Sequence, residues 1–428
     1  MKEKKESVRS PRGMHDMLPA DVVYYNALVA RAREIADYHG FLEIKTPHVE
    51  HAELFLRPLG ETSDVVQKEM YTFRTKGGDT LALRPEGTAP MMRSYIEHGM
   101  ASWPQPVKLF YEGAFFRHEN PQRGRLREFH QCGFEVLGDA DAISDAVIIK
   151  LCFVLLSEIG FHDALVHINS IGDRECRPWH RRDLVAYYRK KFNYLCKDCK
   201  RRLKENPLRL LDCKQESCME LRAQAPQMVE YLCDDCKAHF KNVLELLDEA
   251  NIPYTLDHYL VRGFDYYSRT VFEMFIAESA ESVAVAGGGR YDDLMILLGQ
   301  RSLPATGCAV GIERVISEMK RLGMEPKEAA KAKIFLVHIG PAAKKKSFVL
   351  MDALRRAGIR ANASLSRDNL KTQLNIAAKV GALFALIIGQ KEAMDHTVIV
   401  RDMNEGVQET VTEEKLIEKL KAKLKTKK

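Results

Sequence analysis

Residues 107–137 read VKLFYEGAFFRHENPQRGRLREFHQCGFEVL. Two runs of strand-like residues, 107–117 and 126–137, flank the polar loop HENPQRGR, a pattern that predicts a β-hairpin. With a period of two, Phe129, Gln131, Gly133 and Glu135 share one face of the second strand. His130, Cys132, Phe134 and Val136 share the other. The second set is ordinary core. The first holds an aromatic plate, an amide and a carboxylate with a glycine gap between them, which is how a strand lines a pocket. Arg117 and Glu119 share a face on the preceding strand. Pairing the two strands therefore gathers Arg117, Glu119, Phe129, Gln131 and Glu135. A solvated face laced by cross-strand ion pairs would carry similar residues, so distant segments must decide.

Working outward, residues 21–39 space Tyr25, Leu28, Ala32 and Ile35 as a helix, with Gly40 as its stop. Phe41–Thr46 reads as an extended stretch closed by Pro47. Residues 80–84 alternate like a strand and run into PEGTAP, where a helix can begin. Strands are predicted at 270–276 and 283–286, followed by a Gly-rich turn, then a strand at 306–311 feeding a helix at 312–321. Strand neighbours on short loops argue for a largely antiparallel sheet. The segment 160–255 is helical in pattern, holds seven of the ten cysteines, and reads as an insertion (about 170–255) within a domain spanning 1–325. After the linker-like GMEPKEAAK, residues 332–428 alternate strand and helix as a compact α/β domain. The fold class is thus α+β, with an antiparallel-sheet domain, a helical insertion and a C-terminal α/β domain.

The 428 residues are 46% apolar and 29% charged, which excludes a disordered or fibrous chain. The longest clean apolar run, Val380 to Gly389, is about half the ~20 residues that span a bilayer. The N-terminal MKEKKESVRSP has no hydrophobic secretion segment. These features predict a soluble cytoplasmic protein with no membrane partner. The formal net charge of +6 is unevenly placed: residues 332–428 carry a net +9 and the rest a net −3. A basic module on a near-neutral body suits a polyanion such as nucleic acid.

No GxxxxGK(S/T) loop is present, and no strand runs into GxGxxG, so neither standard nucleotide fingerprint applies. Other segments add to the hairpin set. Arg84-Pro85-Glu86-Gly87-Thr88 places a carboxylate and a hydroxyl at a strand-to-helix junction, where Thr88 could equally be a plain N-cap. LVRGFDYY (260–267) packs Arg262 beside Tyr266 and Tyr267; a turn with buried phenols is the bland alternative. In Gly311-Ile312-Glu313-Arg314 an arginine occupies the first helical turn, against the helix dipole. An ion pair with Glu86 or another acid would account for it; so would a functional role. Several arginines with an aromatic plate suit a nucleoside triphosphate, its phosphates chelated and its purine stacked.

Together these residues resemble the class II aminoacyl-tRNA synthetases, and among them the histidyl-tRNA synthetase family. Pro47 resembles the first class II motif, which forms a dimer interface. Phe116-Arg117-His118-Glu119 through Phe129 resembles the second, and Gly311 to Arg314 the third. LVRGFDYY, GGGRYD (287–292), LRPEGT (83–88) and QCGFE (131–135) are similar to blocks that mark the histidine branch. The resemblance covers nearly the whole chain, and its C-terminal domain is similar to the class II anticodon-binding domain. It implies ATP-dependent activation of L-histidine and transfer to the 3′ end of tRNA(His) by a homodimer, with Mg²⁺ accompanying ATP.

The resemblance also implies residue roles. Arg117 and Arg262 are catalytic, stabilising the α-phosphate and histidine carboxylate. Glu86, Gly87, Thr88 and Gln131 hold the α-ammonium end; Glu135, Tyr266 and Tyr267 surround the imidazole. Glu119, Arg125, Phe129 and Arg314 bind ATP, the last two sandwiching adenine. Gln122 and Arg123 approach the tRNA acceptor end.

Cys196-x-x-Cys199 and Cys233-x-x-Cys236 have zinc-ribbon pair spacing, so these four are the expected ligands of one structural Zn²⁺. Reduced core and surface thiols are the alternative. Two other functions compete with the synthetase reading. One is a synthetase-like histidine-binding regulatory subunit of ATP phosphoribosyltransferase. The other is a zinc-dependent nucleic-acid binder, which leaves the Arg/Glu/Phe pocket without a purpose.

Overall fold

The computed structural model of the chain describes residues 8–60, 63, 65–120, 125–276, 283–326, 332–366 and 368–426. It divides into two compact units, Met1–Pro326 and Lys327–Lys428. The strands in chain order are β1 (Leu42–Glu43), β2 (Val49–His51), β3 (Thr72–Arg74), β4 (Thr80–Leu83), β5 (Val107–Phe116), β6 (Glu128–Leu137), β7 (Ala164–Ser170), β8 (Tyr254–Leu256), β9 (Ser268–Ile276), β10 (Ala286–Arg290) and β11 (Ala305–Gly311) in the first unit. The second unit holds β12 (Ile334–His338), β13 (Ala361–Ala363), β14 (Phe384–Ile388), β15 (Thr397–Asp402) and β16 (Gln408–Thr412).

The first unit is organised on an eight-stranded sheet in the order β1-β5-β6-β11-β10-β9-β7-β8. Its interior pairings are antiparallel, and only the edge strands β1 and β8 pair in parallel. The alternation read from the sequence sorts the two faces. Phe110, Cys132, Phe134, Val136, Phe272, Cys308 and Val310 point into a core built with helices Pro19–Tyr38, Ala142–Glu158, Asp234–Glu249 and Ile312–Arg321. The odd-numbered partners Leu109, Tyr111, Phe115 and Ala305 face a second core. Burial of these side chains, worth about 1.5–3 kcal/mol each, pins the strand register, because a one-residue slip would turn every one of them to the wrong side.

The first helix begins with a proline at its N-terminal turn and ends before Gly40, whose φ of 72° lies in the left-handed region that glycine tolerates. A small antiparallel sheet β2-β4-β3 leads into helix Thr88–Glu97. The segment read as helical in pattern carries strands at its ends: β7 and β8 join the large sheet, and the stretch between them forms the helices Arg177–Lys190, Lys197–Glu205, Glu216–Arg222 and Asp234–Glu249. The expected Gly-rich turn after residue 286 is also corrected. Gly287, Gly288 and Gly289 lie in the central strand β10, because the neighbouring strands approach there too closely for a Cβ.

The second unit carries a mixed sheet in the order β13-β12-β14-β15-β16. β12 pairs in parallel with β13 and β14, and the β14–β15 and β15–β16 pairs are antiparallel. Ile334, Leu336, Leu386 and Ile388 pack on one face, and Phe335, Val337, Ala385 and Ile387 on the other. The near-continuous apolar runs IFLV and FALII reflect this burial on both faces. No described helix is long and apolar enough to cross a membrane.

Candidate active site

The face of the large sheet opposite the helices is nearly bare of side chains at its centre. In register, Gln131 on β6 lies between Gly113 on β5 and Gly311 on β11. Glu135 lies opposite Gly307 on β11, which itself faces Gly289 on β10. Glu273 on β9 faces Gly287. These glycines clear room for long polar side chains to lie over the sheet. A Cβ on Gly307 would overlap Oε2 of Glu135, and one on Gly287 would stand 2.7 Å from Nη1 of Arg262.

At one end is a closed polar slot. The carboxyl of Glu135, 1% exposed, accepts from Thr88 Oγ1 at 3.0 Å and from the phenol of Tyr291. Burial pushes its pKa up to about 8, against the pull of those two hydrogen bonds; the nearby Glu86 carboxyl adds to the rise. Glu86 is buried too and is raised by burial, opposed by the amides of Ala89 and Thr88. Those amides donate to its oxygens at 2.8 and 2.6 Å at the start of helix Thr88–Glu97. Glu86, not Thr88, therefore caps the helix, and the positive end of the helix dipole helps hold the carboxyl in place. Tyr266 donates toward Glu86 at 3.4 Å, and its ring centroid lies 4.7 Å from that of Tyr267. Burial, and then the charge of Glu135, hold the Tyr291 phenol well above its usual range, so it remains a donor. The slot thus presents carboxyl oxygens and phenol donors in a dry setting.

At the other end lies an arginine cluster. Arg117 donates from Nε to the Pro85 carbonyl at 2.8 Å. Its guanidinium lies 5.2 Å from the ring centroid of Phe129 and 5.4 Å from that of Phe264. Glu119 is 3.9 Å from Arg117 and 3.4 Å from Arg125. Its Oε2 is buried without a hydrogen-bond partner. Arg314, anchored to the Ala284 carbonyl at 2.8 Å, has its pKa lowered by burial and then by the charges of Arg117 and Arg125; Glu119 and Glu273 act against this. Its guanidinium therefore lies among these charged groups. Arg262 closes the set: it binds Glu273 and lies 5.6 Å from the Tyr267 ring centroid, while its Nε is buried without a partner. Buried polar atoms lacking partners are uncommon in folded proteins and mark places where a ligand completes the bonding.

The structure brings together Glu86, Gly87, Thr88, Glu135, Tyr266 and Tyr267 at the slot, and Arg117, Glu119, Arg125, Phe129 and Arg314 at the cluster, with Gln131 and Arg262 on the sheet between. Gln122 and Arg123 lie outside the described residues. Sequence reasoning missed Tyr291, Glu273 and Phe264. Tyr291 stands in GGGRYD, a block read there through its glycines. The arginine of that block is structural: Arg290 is fully buried, 3.0 Å from Asp145, and donates to the carbonyls of Asp139 and Asp141.

The expected single set of four zinc ligands is corrected. Cys196 and Cys199 group with Cys213 and Cys218, whereas Cys233 and Cys236 group with Asp173 and Cys176. The pairs start two different helices, Lys197–Glu205 and Asp234–Glu249; the first takes Cys213 and Cys218 from the segment that follows it, and the second takes Asp173 and Cys176 from the turn before helix Arg177–Lys190.

The family model described as histidyl-tRNA synthetase matches residues 13–315, and that of the anticodon binding domain matches residues 333–423. The chain is 44% identical over 416 residues to a histidine–tRNA ligase of Dehalococcoides mccartyi, covering 97% of this chain and 100% of that one. It is 41% identical over 414 residues to a histidine–tRNA ligase of Pelotomaculum thermopropionicum, covering 97% of each. Among solved structures it is similar to the apo histidyl-tRNA synthetase of S. aureus, with a TM-score of 0.81 at 32% identity, covering 96% of this chain and 99% of that one.

Proposed function

The chain belongs to the histidyl-tRNA synthetase family, and on that premise we propose how its residues divide the work of a class II aminoacyl-tRNA synthetase. The enzyme activates L-histidine with ATP and transfers the histidyl group to tRNA(His), with the C-terminal unit as the anticodon-binding domain. In the first step a carboxylate oxygen of histidine attacks the α-phosphorus, an O–P bond forms, and pyrophosphate leaves. The nucleophile is already ionised at neutral pH, so no general base is needed. Catalysis reduces to positioning and charge neutralisation.

Arg117 and Arg262 flank the α-phosphate and the attacking carboxylate. Adenine stacks between Phe129 and Arg314, its amino edge meeting Oε2 of Glu119, which lies 3.4 Å from Arg125 but has no hydrogen-bond partner. Arg125 reaches the outer phosphates. The family brings Mg²⁺ with ATP. A hard cation takes carboxylate oxygens, and Glu273, on the open sheet face beside Arg262, offers that type of donor; the ion would neutralise phosphate charge there. In the second step the tRNA 3′-hydroxyl attacks the acyl carbon, an ester forms and AMP departs. Gln122 and Arg123 guide the acceptor end. A cytoplasmic homodimer is the assembly that fits this reading.

The observation that carries the assignment of histidine is the slot. Imidazole offers one donor and one acceptor, or two donors when charged. Glu135, oriented by the Tyr291 phenol, accepts, and the phenol of Tyr267 donates. An amino acid lacking the ring nitrogens leaves these buried groups unpaired, a penalty that discriminates by about 10⁴–10⁵ without editing. Glu86, Thr88 and Gln131 take the α-ammonium. Histidine-dependent exchange of pyrophosphate into ATP, followed by charging of a tRNA(His) transcript, tests the assignment. A histidine-binding regulatory subunit predicts neither activity. It is the weaker reading, because the relatives named histidine–tRNA ligase cover this chain nearly end to end.

A further inference from the structure

Two knots of soft donors lie in the first unit away from the arginine cluster. Cys196, Cys199, Cys213 and Cys218 hold their four sulfurs within 4.8 Å of one another, and Asp173, Cys176, Cys233 and Cys236 do the same with three sulfurs and a carboxylate oxygen. A tetrahedral Zn²⁺ with Zn–S bonds of about 2.3 Å sets its sulfurs about 3.8 Å apart. Cys196 and Cys213 are 3.9 Å apart at Sγ, and Cys176 and Cys236 are 3.8 Å apart. Disulfide-bonded sulfurs would be at about 2.0 Å.

Both knots use one device. A C-x-x-C pair straddles a helix start, its first cysteine just before the helix and its second in the first turn. Backbone amides point at the sulfurs: Cys199 N to Cys196 Sγ and Cys196 N to Cys218 Sγ, both at 3.4 Å, and Asp173 N to Cys176 Sγ at 3.2 Å. Such donors stabilise thiolates and orient them as ligands. In the second knot the Asp173 carboxylate lies 3.0 Å from Cys236 Sγ and 3.3 Å from Cys176 Sγ. Four donors arriving from two separate segments and gathered within 4.8 Å is more than apolar packing of thiols requires.

The geometry points to two structural zinc ions in each chain, one held by Cys196, Cys199, Cys213 and Cys218, the other by Asp173, Cys176, Cys233 and Cys236. On binding, the ligating thiols release their protons and each ion is left with four anionic ligands. The knots sit behind the loop that carries Arg262 and Tyr267. From the first, Asn206 donates to Asp265 at 2.5 Å and Arg209 to the Gly263 carbonyl at 3.1 Å. Beside the second, Arg177 donates to the carbonyls of Ile171 and Tyr267. The ions thus brace the rear of the active-site loop without touching substrate. This stands independently of whether the chain charges tRNA.

Metal analysis of the purified full chain, grown in zinc-supplemented medium, tests it. Two zinc per chain are expected, falling to one in Cys213→Ser and one in Cys236→Ser, and to none when both are changed. Should those variants fail to fold, full-length wild type loaded with Co²⁺ reports directly: intense thiolate-to-cobalt charge transfer equivalent to two ions is expected. A folded chain with no zinc and freely titrating thiols overturns the proposal. So does a single ion per chain, a chain whose clustered cysteines are disulfides by mass spectrometry, or iron with the visible absorption of a cluster.

Discussion

Tyr291 donates its phenol hydrogen to Oε2 of Glu135, a residue 156 positions earlier in the chain. The bond ties the residue that follows β10 to the last part of β6 across the intervening β11. It holds in one orientation the carboxyl proposed to read imidazole. Removing one partner of a buried hydrogen bond costs about 1–3 kcal/mol. Tyr291→Phe should therefore lower kcat/KM for histidine in the exchange assay by roughly ten- to a hundredfold, leaving KM for ATP near wild type. An unchanged histidine KM would remove Tyr291 from the slot.

In the proposed mechanism Arg262 acts on charge that develops during attack. Losing one well-placed donor costs about 3–4 kcal/mol, so Arg262→Ala should slow exchange by a few hundred-fold or more. Its partner Glu273 is 27% exposed and can be rehydrated, so the melting temperature should stay close to wild type. Exchange within tenfold of wild type would be incompatible with the role.

Glu135 links stability to pH. Its pKa of about 8 in the folded chain stands above the ordinary 4.5. Between these values the folded chain keeps a proton that the unfolded chain has released. The contribution to stability is whole below about pH 4.5, declines through the window and is gone above about pH 8. Glu86 is displaced in the same direction. Urea midpoints measured across that range should fall less steeply in Glu135→Gln than in wild type, while histidine saturation weakens. Equal slopes would mean that Glu135 is ionised throughout.

Gly307→Ala adds one carbon where Oε2 of Glu135 lies, with the Phe134 carbonyl 2.9 Å away on the other side. The carboxyl must swing off Tyr291. Overpacking of this kind costs about 1–3 kcal/mol, and the histidine KM should rise by about a hundredfold as both slot bonds are lost. A variant with a native KM would show that the strand yields instead.

Arg290→Met leaves Asp145 buried and without its guanidinium partner. Breaking a buried pair from one side costs about 3–5 kcal/mol, partly relieved by the bond from His239 at 2.6 Å. A large drop in the denaturation midpoint is expected. Pairing the change with Asp145→Asn should recover much of it, and failure to recover would place the cost elsewhere.

Much of this was legible from sequence because it depends on short spacings. The period of two in 126–137 correctly separated Phe134 and Val136 from Gln131 and Glu135, and the hairpin carried Arg117 to Phe129. What resisted reading depends on partners far apart. Nothing in GGGRYD says that its tyrosine reaches Glu135 while its arginine turns to Asp145. Three consecutive glycines suggest a turn. They form a strand here because Arg262 lies over Gly287 and the neighbouring strands leave no room for a Cβ at Gly288 and Gly289. The cysteine pairs have matching spacing, and spacing alone could not say that Cys213, Cys218, Asp173 and Cys176 would separate them into two groups.

The bare glycine floor beneath the slot has a consequence for redesign. A surface made of main chain has nothing to trim, so every substitution at Gly307, Gly133 or Gly287 subtracts volume. An engineer wishing to admit a bulkier substrate analogue must carve space from the walls, at Thr88, Tyr267 or Glu135, and libraries randomised along β10 and β11 will yield only narrower specificities.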